Sequence, residues 1–180
     1  MMDNFVQEIL LNHEEIVQTC ERLGKQIRAD YKDSTPVLVG LLKGSIPFMA
    51  ELIKHIPGDL EIDFIHASSY IGTSSSGAVM ILKDMTTHVK GRDLLLVEDI
   101  VDTGLTLKEV TNLLKDRGAN SIEIVTLLDK PEGRTVMGVN PKYIGKSIPN
   151  KFVIGFGLDY NELYRNLNYV GVLKEAIYKH

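Results

Sequence analysis

The hydrophobic pattern switches repeatedly between a helical period and short apolar or alternating runs. Ile16, Val17, Cys20, Leu23 and Ile27 recur at helical spacing behind Asn12 and Glu15, whose separation of three suits a capping box, so the first long element is predicted to be a helix. Residues 36–42 (PVLVGLL) form a continuous apolar run of buried-strand length. A second helix is predicted after Ser45, with Phe48, Met49, Leu52, Ile53 and Ile56 apolar. Residues 60–67 alternate like a strand, 68–77 are mostly small and polar, and 78–84 read as the next strand. Residues 93–99 (DLLLVED) are an apolar run ending in acid, hence a buried strand. A helix over 104–117 follows, with Leu107, Val110, Leu113 and Leu114 on one face and Gly118 as its stop. Further strands are predicted over 121–129, 152–158 and around 169–173, with a loop-rich stretch between the first two.

Strands alternating with helices predict an α/β fold whose parallel sheet is covered on both faces. Sheets of this kind bind ligands beyond the carboxyl ends of their strands. No internal repeat, low-complexity tract or linker-like break divides the 180 residues, so one domain is expected.

Composition narrows the function. Apolar residues at 44% are enough for an ordinary core and rule out general disorder. A net charge of −4 does not suggest a nucleic-acid binder. The single cysteine, Cys20, excludes a disulfide framework or a CxxC site, and its place on the first helix's stripe reads as core. Neither a signal-peptide pattern nor a run of membrane-spanning length is visible, so a cytoplasmic protein without membrane partners is expected. The Walker A, GxGxxG, HExxH and GxSxG patterns are missing, and the five histidines show no metal spacing.

The informative segment is LLLVEDIVDTGLTL, residues 94–107. Glu98, Asp99 and Asp102 place three carboxylates within five residues at a strand's carboxyl end, where their repulsion calls for a cation or a hydroxyl-rich ligand. Thr103, Gly104 and Thr106 then offer hydroxyls and backbone N–H groups at a helix N-terminus, an arrangement suited to phosphate. A ribose 5-phosphate satisfies both halves. An Asp-Thr-Gly turn alone would equally suit a capped helix after an acidic strand end.

This run resembles the signature of the type I phosphoribosyltransferases, which bind phosphoribosyl pyrophosphate (PRPP). Its form VEDIVDTGLT is similar in detail to that of the hypoxanthine-guanine phosphoribosyltransferases. LLKGS (41–45) resembles their pyrophosphate loop, SSY (68–70) the start of their mobile loop, LLDKPEGR (127–134) their purine-contacting lysine segment, and KFVIGFGLDYNELYRNL (151–167) their base- and metal-binding segment. The resemblance covers roughly residues 36–175 in the family's order.

The resemblance implies a parallel-stranded core flanked by helices, with a small hood built from the N- and C-terminal segments. It implies transfer of a 5-phosphoribosyl group from PRPP to hypoxanthine or guanine with Mg²⁺, in a homodimer or homotetramer. By position, Glu98 and Asp99 would hold the ribose hydroxyls, Asp102 would be the catalytic acid–base group at purine N7, and residues Thr103, Gly104, Leu105 and Thr106 would bind the 5′-phosphate. Lys43, Gly44 and Arg165 would meet pyrophosphate, and the Leu42–Lys43 peptide is expected to be cis. Lys130, Phe152, Val153 and Ile100 would form the purine pocket, with Glu98, Asp99 and Asp159 as metal carboxylates and Ser69 and Tyr70 in a lid. Taken singly, Lys130 and Arg165 would read as surface charges, Phe152 as core, Asp159 as a cap and residues 68–77 as a floppy loop.

Three alternatives frame this expectation. One is a related 6-oxopurine enzyme preferring xanthine or using only hypoxanthine. Another is a non-catalytic regulator of the same fold that binds nucleic acid, against which Asp102, Lys130 and the net charge of −4 all count. The third is a phosphoacceptor receiver domain, which would leave the DTGLT loop unexplained.

Overall fold

A computed structural model of the chain describes residues 4–69 and 79–179; the expected lid residue Tyr70 lies outside the described residues, as does the side chain of Ser69. In chain order the elements are β1 (Val6–Leu11), α1 (His13–Asp30), β2 (Val37–Leu41), α2 (Ser45–Leu52), β3 (Glu61–Ser69), β4 (Val79–Lys83), β5 (Asp93–Val101), α3 (Leu105–Asp116), β6 (Ser121–Asp129), β7 (Tyr143–Ser147), β8 (Val153–Ile154), β9 (Val170–Leu173) and α4 (Glu175–Tyr178). The capping box ahead of α1 is formed in both directions: Glu15 N–H donates to Asn12 Oδ1, and Asn12 N–H to Glu15 Oε2.

Six strands form the main sheet in the order β4-β3-β2-β5-β6-β7. Strands β3, β2, β5, β6 and β7 run parallel, while β4 is antiparallel to β3. The sheet is thus mixed rather than wholly parallel. The nine residues 70–78 between β3 and β4 are fewer than the dozen or so a parallel crossover needs.

Two predicted boundaries also change. The run 152–158 keeps only Val153–Ile154 as strand, because Gly155, Phe156 and Gly157 turn to positive φ of 93°, 49° and 101°. β1 and β7 arise where no strand was predicted. β1 joins β9 and β8 in a second, three-stranded antiparallel sheet that ties the two ends of the chain together.

β2 and β5 read as continuous apolar runs because both faces of the sheet are covered. Leu38, Leu95 and Val97 pack in the layer of α1 and α2, with Ile16, Leu23, Phe48 and Met49. Val37, Val39, Leu94 and Leu96 pack in the other layer, with Leu107, Val110 and Leu114 of α3. Cys20 lies buried in the first layer, where burial pushes its thiol up to about 12 and leaves it unreactive.

The connectivity fixes where a ligand can enter. From β2 the chain passes through α2 to β3 on one side; from β5 it passes through α3 to β6 on the other. The topological switch point therefore lies between the carboxyl ends of β2 and β5, and there the sheet opens a crevice. The segments leaving these two strands are Leu42–Gly44 and Asp102–Gly104.

Candidate active site

Three neighbouring cavities occupy this crevice, and the same acids form their shared walls. The first, about 160 Å³, is lined by Glu98 and by residues 100–107. Gly104 adopts φ +81°, a left-handed conformation that suits glycine and turns the chain from β5 into α3. A side chain there would also meet Arg134 and Val136 at 3.1 Å. Thr103, Leu105 and Thr106 follow this turn at the N-terminus of α3, where the first backbone N–H groups have no helical acceptor. The hydroxyl of Thr103 accepts the Leu105 N–H at a long 3.4 Å.

The second cavity, about 230 Å³, is lined by Lys43, Gly44, Glu98, Asp99, Thr106 and Arg165, among others. The Leu42–Lys43 peptide is cis, as the resemblance implies. Gly44 is tied to this place by Asp99, whose Oδ2 would lie 1.9 Å from an added Cβ. Gly157 in turn packs against the carbonyl of Gly44, which would lie 1.9 Å from a Cβ added at Gly157. Arg165 NH1 donates to the Gly157 carbonyl at 2.7 Å, and its NH2 lies 3.1 Å from Asp159 and from Glu162. Lys43 Nζ donates to Glu162 Oε2 at 2.7 Å.

The third cavity, about 240 Å³, is lined by Asp99, Ile100, Asp102, Lys130, Phe152, Val153, Leu158 and Asp159. Lys130 is buried, and its Nζ donates to Asp102 Oδ2 at 2.9 Å. Phe152 is 37% exposed, stacked on Tyr178 at 4.8 Å between ring centroids and edge-on to Tyr160 at 5.7 Å. Val153 is buried and paired with Val172 in the small sheet.

Glu98 and Asp99 separate the cavities. Burial pushes the Glu98 carboxyl well up from its usual range, and the Asp99 charge pushes it further. Burial raises Asp99 to about 6, against the opposing pull of the Ile100 N–H and the Arg165 guanidinium. Among the described residues neither acid has a salt-bridge partner, and the one hydrogen bond to Asp99 from another residue is from Ile100 N–H at 2.8 Å. The fold thus holds these acids together with only partial compensation, as expected of a site suited to a cation or hydroxyl donors.

The comparisons with known proteins agree with this geometry. The phosphoribosyl transferase domain family matches residues 6–161. The chain belongs to the phosphoribosyltransferase family. It is 54% identical to the hypoxanthine-guanine phosphoribosyltransferase of Streptococcus pyogenes serotype M3 over 179 residues, 99% of each chain. The crystal structure of a hypoxanthine phosphoribosyltransferase from Staphylococcus aureus superposes with a TM-score of 0.94 at 50% identity, covering 98% of this chain and 96% of that one. A Trypanosoma cruzi hypoxanthine phosphoribosyl transferase superposes with a TM-score of 0.93 at 39% identity, covering 99% and 96%.

In this phosphoribosyltransferase every candidate residue outside the lid lines one of the three cavities. Of the three expected metal carboxylates, Asp99 and Asp159 line one cavity and Glu98 and Asp99 another, while among the described residues no group of three acids, histidines or cysteines is gathered closely enough to hold a metal by itself. Asp159 is held by Arg165 and by the Glu162 N–H at 2.9 Å.

Sequence reasoning assigned no role to Arg134, Gly133 or Glu162. Arg134 donates to the Asp102 carbonyl at 2.7 Å and pairs with Asp129, tying the loop after β5 to the end of β6. Gly133 leaves room for Asp102, whose Oδ1 would lie 1.9 Å from an added Cβ. The run DKPEGR was visible, but no local period links its residues to a loop some thirty positions earlier.

Proposed function

We propose that this enzyme transfers the 5-phosphoribosyl group of PRPP to N9 of hypoxanthine or guanine, releasing IMP or GMP and pyrophosphate. The observation that carries the reading is the meeting of three cavities at Glu98, Asp99 and Asp102. One has an α3 N-terminus for the 5′-phosphate, one has Lys43 and Arg165 for pyrophosphate, and one has Lys130, Phe152 and Asp102 for the base.

The 5′-phosphate would accept from the N–H groups and hydroxyls of residues 103–106. Glu98 and Asp99 would accept from the ribose 2′- and 3′-hydroxyls. As N9 bonds to C1′ and the C1′–oxygen bond to pyrophosphate breaks, the ribose gains positive charge, which nearby carboxylates stabilise more in the transition state than before it. Asp102 would take the proton from N7 of the purine. Lys130, already 2.9 Å from Asp102, would donate to the neighbouring 6-oxo group. Phe152 would stack on the base, beside Ile100 and Val153.

The carboxylates present fit Mg²⁺, which takes one or two carboxylates, substrate oxygens and water rather than a full protein cage. Among the described residues Asp99 and Glu98 have no salt-bridge partner, and Asp159 shares the base cavity with Asp99 while its own partner Arg165 lines the pyrophosphate cavity. Bound there, the metal would supply charge neutralisation and orientation of the pyrophosphate. The cytoplasm and a homo-oligomer are the setting that the resemblance favours.

The test is a coupled assay with PRPP, Mg²⁺ and each of hypoxanthine, guanine, xanthine and adenine, on the parent and Lys130→Gln. An ammonium only donates, so it matches a 6-oxo group and mismatches the 6-amino group of adenine. The parent should prefer hypoxanthine to adenine by up to about 10⁴-fold in kcat/KM, and the variant should lose much of that preference. Equal use of adenine by the parent refutes the purine assignment, and undiminished preference in the variant refutes the role of Lys130.

A further inference from the structure

We infer that Glu162 is an internal counter-anion of the pyrophosphate cavity, holding Lys43 and Arg165 when that cavity is free and yielding them when pyrophosphate arrives. This rests on the reading above that those two cations receive pyrophosphate. One carboxylate spans both: Oε2 accepts from Lys43 Nζ at 2.7 Å and Oε1 lies 3.1 Å from Arg165 NH2. These are the partners a pyrophosphate oxygen would take.

Charge explains why a counter-anion matters here. Lys43 and Arg165 face four acids around the same crevice: Glu98, Asp99, Asp159 and Glu162. A polyanionic ligand therefore enters a neighbourhood with an excess of negative charge. Each acid that withdraws from a cation improves its binding. Asp99 is buried and Asp159 is fixed by Arg165 and a backbone N–H, so neither can leave readily. The Glu162 side chain is 63% exposed and can return to water at little desolvation cost.

The two cations respond differently. Arg165 keeps Asp159 and the Gly157 carbonyl when Glu162 leaves, and stays in place. Lys43 has no other salt-bridge partner among the described residues and is freed to turn toward the ligand. Exposed ion pairs are individually weak and salt-screened, so the exchange is easy in both directions. Returning to the cations, Glu162 would compete with departing pyrophosphate and favour its release.

The test is calorimetric titration of the full chain with inorganic pyrophosphate plus Mg²⁺, and separately with IMP, for the parent and Glu162→Gln. The variant should bind Mg–pyrophosphate roughly 3–10-fold more tightly at low salt, with the gain shrinking at high salt and IMP affinity unchanged within about twofold. In a Lys43→Gln background the same substitution should give little gain, because the effect acts largely through that lysine. If Glu162→Gln does not fold, Glu162→Asn replaces it with the same expectation: it also removes the charge, and Asn tolerates the φ of +65° at this position better. Unchanged or weaker Mg–pyrophosphate binding with IMP binding intact overturns the inference, since a merely structural Glu162 would give one of those results. If the parent binds neither IMP nor Mg–pyrophosphate, the phosphoribosyl-transfer reading itself has failed, and the inference falls with it.

Discussion

Asp63 on β3 and Asp99 on β5 are buried aspartates of one parallel sheet, 6% and 9% exposed. Asp63 accepts hydrogen bonds from the N–H groups of Phe64, Thr86 and Thr87 and from the Thr86 hydroxyl. Burial pushes its carboxyl up, but these donors, led by the Thr87 N–H, outweigh it and hold the group at about 2. Asp99 is as little exposed but lies deeper, accepts from one neighbouring N–H, and is pushed up by burial to about 6. Depth among protein atoms is part of the contrast, since Asp99 suffers the greater desolvation. The other part is whether the chain supplies donors: where it does, as at Asp63, the acid pins the segment around Thr86 and Thr87 to the sheet, and where it does not, as at Asp99, the demand is left open at the proposed ligand site.

The largest expected effect lies beside the unmet acids. Asp102→Asn keeps the shape and one acceptor for Lys130 but cannot take the N7 proton. Single-turnover kcat should fall by about 10²–10⁴-fold, with PRPP binding changed only a few-fold. A loss under about threefold would place the acid–base role elsewhere.

A smaller effect, in stability rather than rate, is expected at the satisfied acid. The folded pKa of Asp63, about 2, lies below the usual aspartate value near 3.9, so its contribution is present above about pH 4 and is lost as pH falls toward 2. Asp63→Asn should cost about 1–3 kcal/mol near neutral pH and flatten the acid limb of the stability profile, while kcat of the folded enzyme stays near the parent's. Denaturant unfolding across that pH range checks it. An unchanged acid limb would mean that these hydrogen bonds do not hold the charge.

The same contrast accounts for what the sequence disclosed. The β5–loop–α3 unit was legible because a two-sided apolar run, an acid pair, a positive-φ glycine and an amphipathic helix are all local signals. β1 was not: its pairing with β9 carries two register irregularities, and only Val6 and Leu11 of its six residues are buried, so no alternation shows. β7 is a short edge strand containing Gly145 and Lys146, the composition edges use to resist further pairing. The direction of β4 depends on the length of the link before it rather than on its own residues. Arg134 and Glu162 act on partners 32 and 119 positions away, and no spacing in the sequence records that.

The most direct test of the account is Asp99→Asn, assayed for thermal stability and for binding of PRPP with Mg²⁺ above pH 6. Because the folded pKa of Asp99 is raised, ionising it works against the folded state from about pH 4 up to about 6, so removing the charge should leave the melting temperature equal to or above the parent's. Binding of PRPP should weaken by roughly tenfold or more, as expected for losing a charge-assisted hydrogen-bond acceptor. A melting temperature lowered as far as in Asp63→Asn, with PRPP affinity intact, would contradict the claim that the unsatisfied acids are there for the ligand.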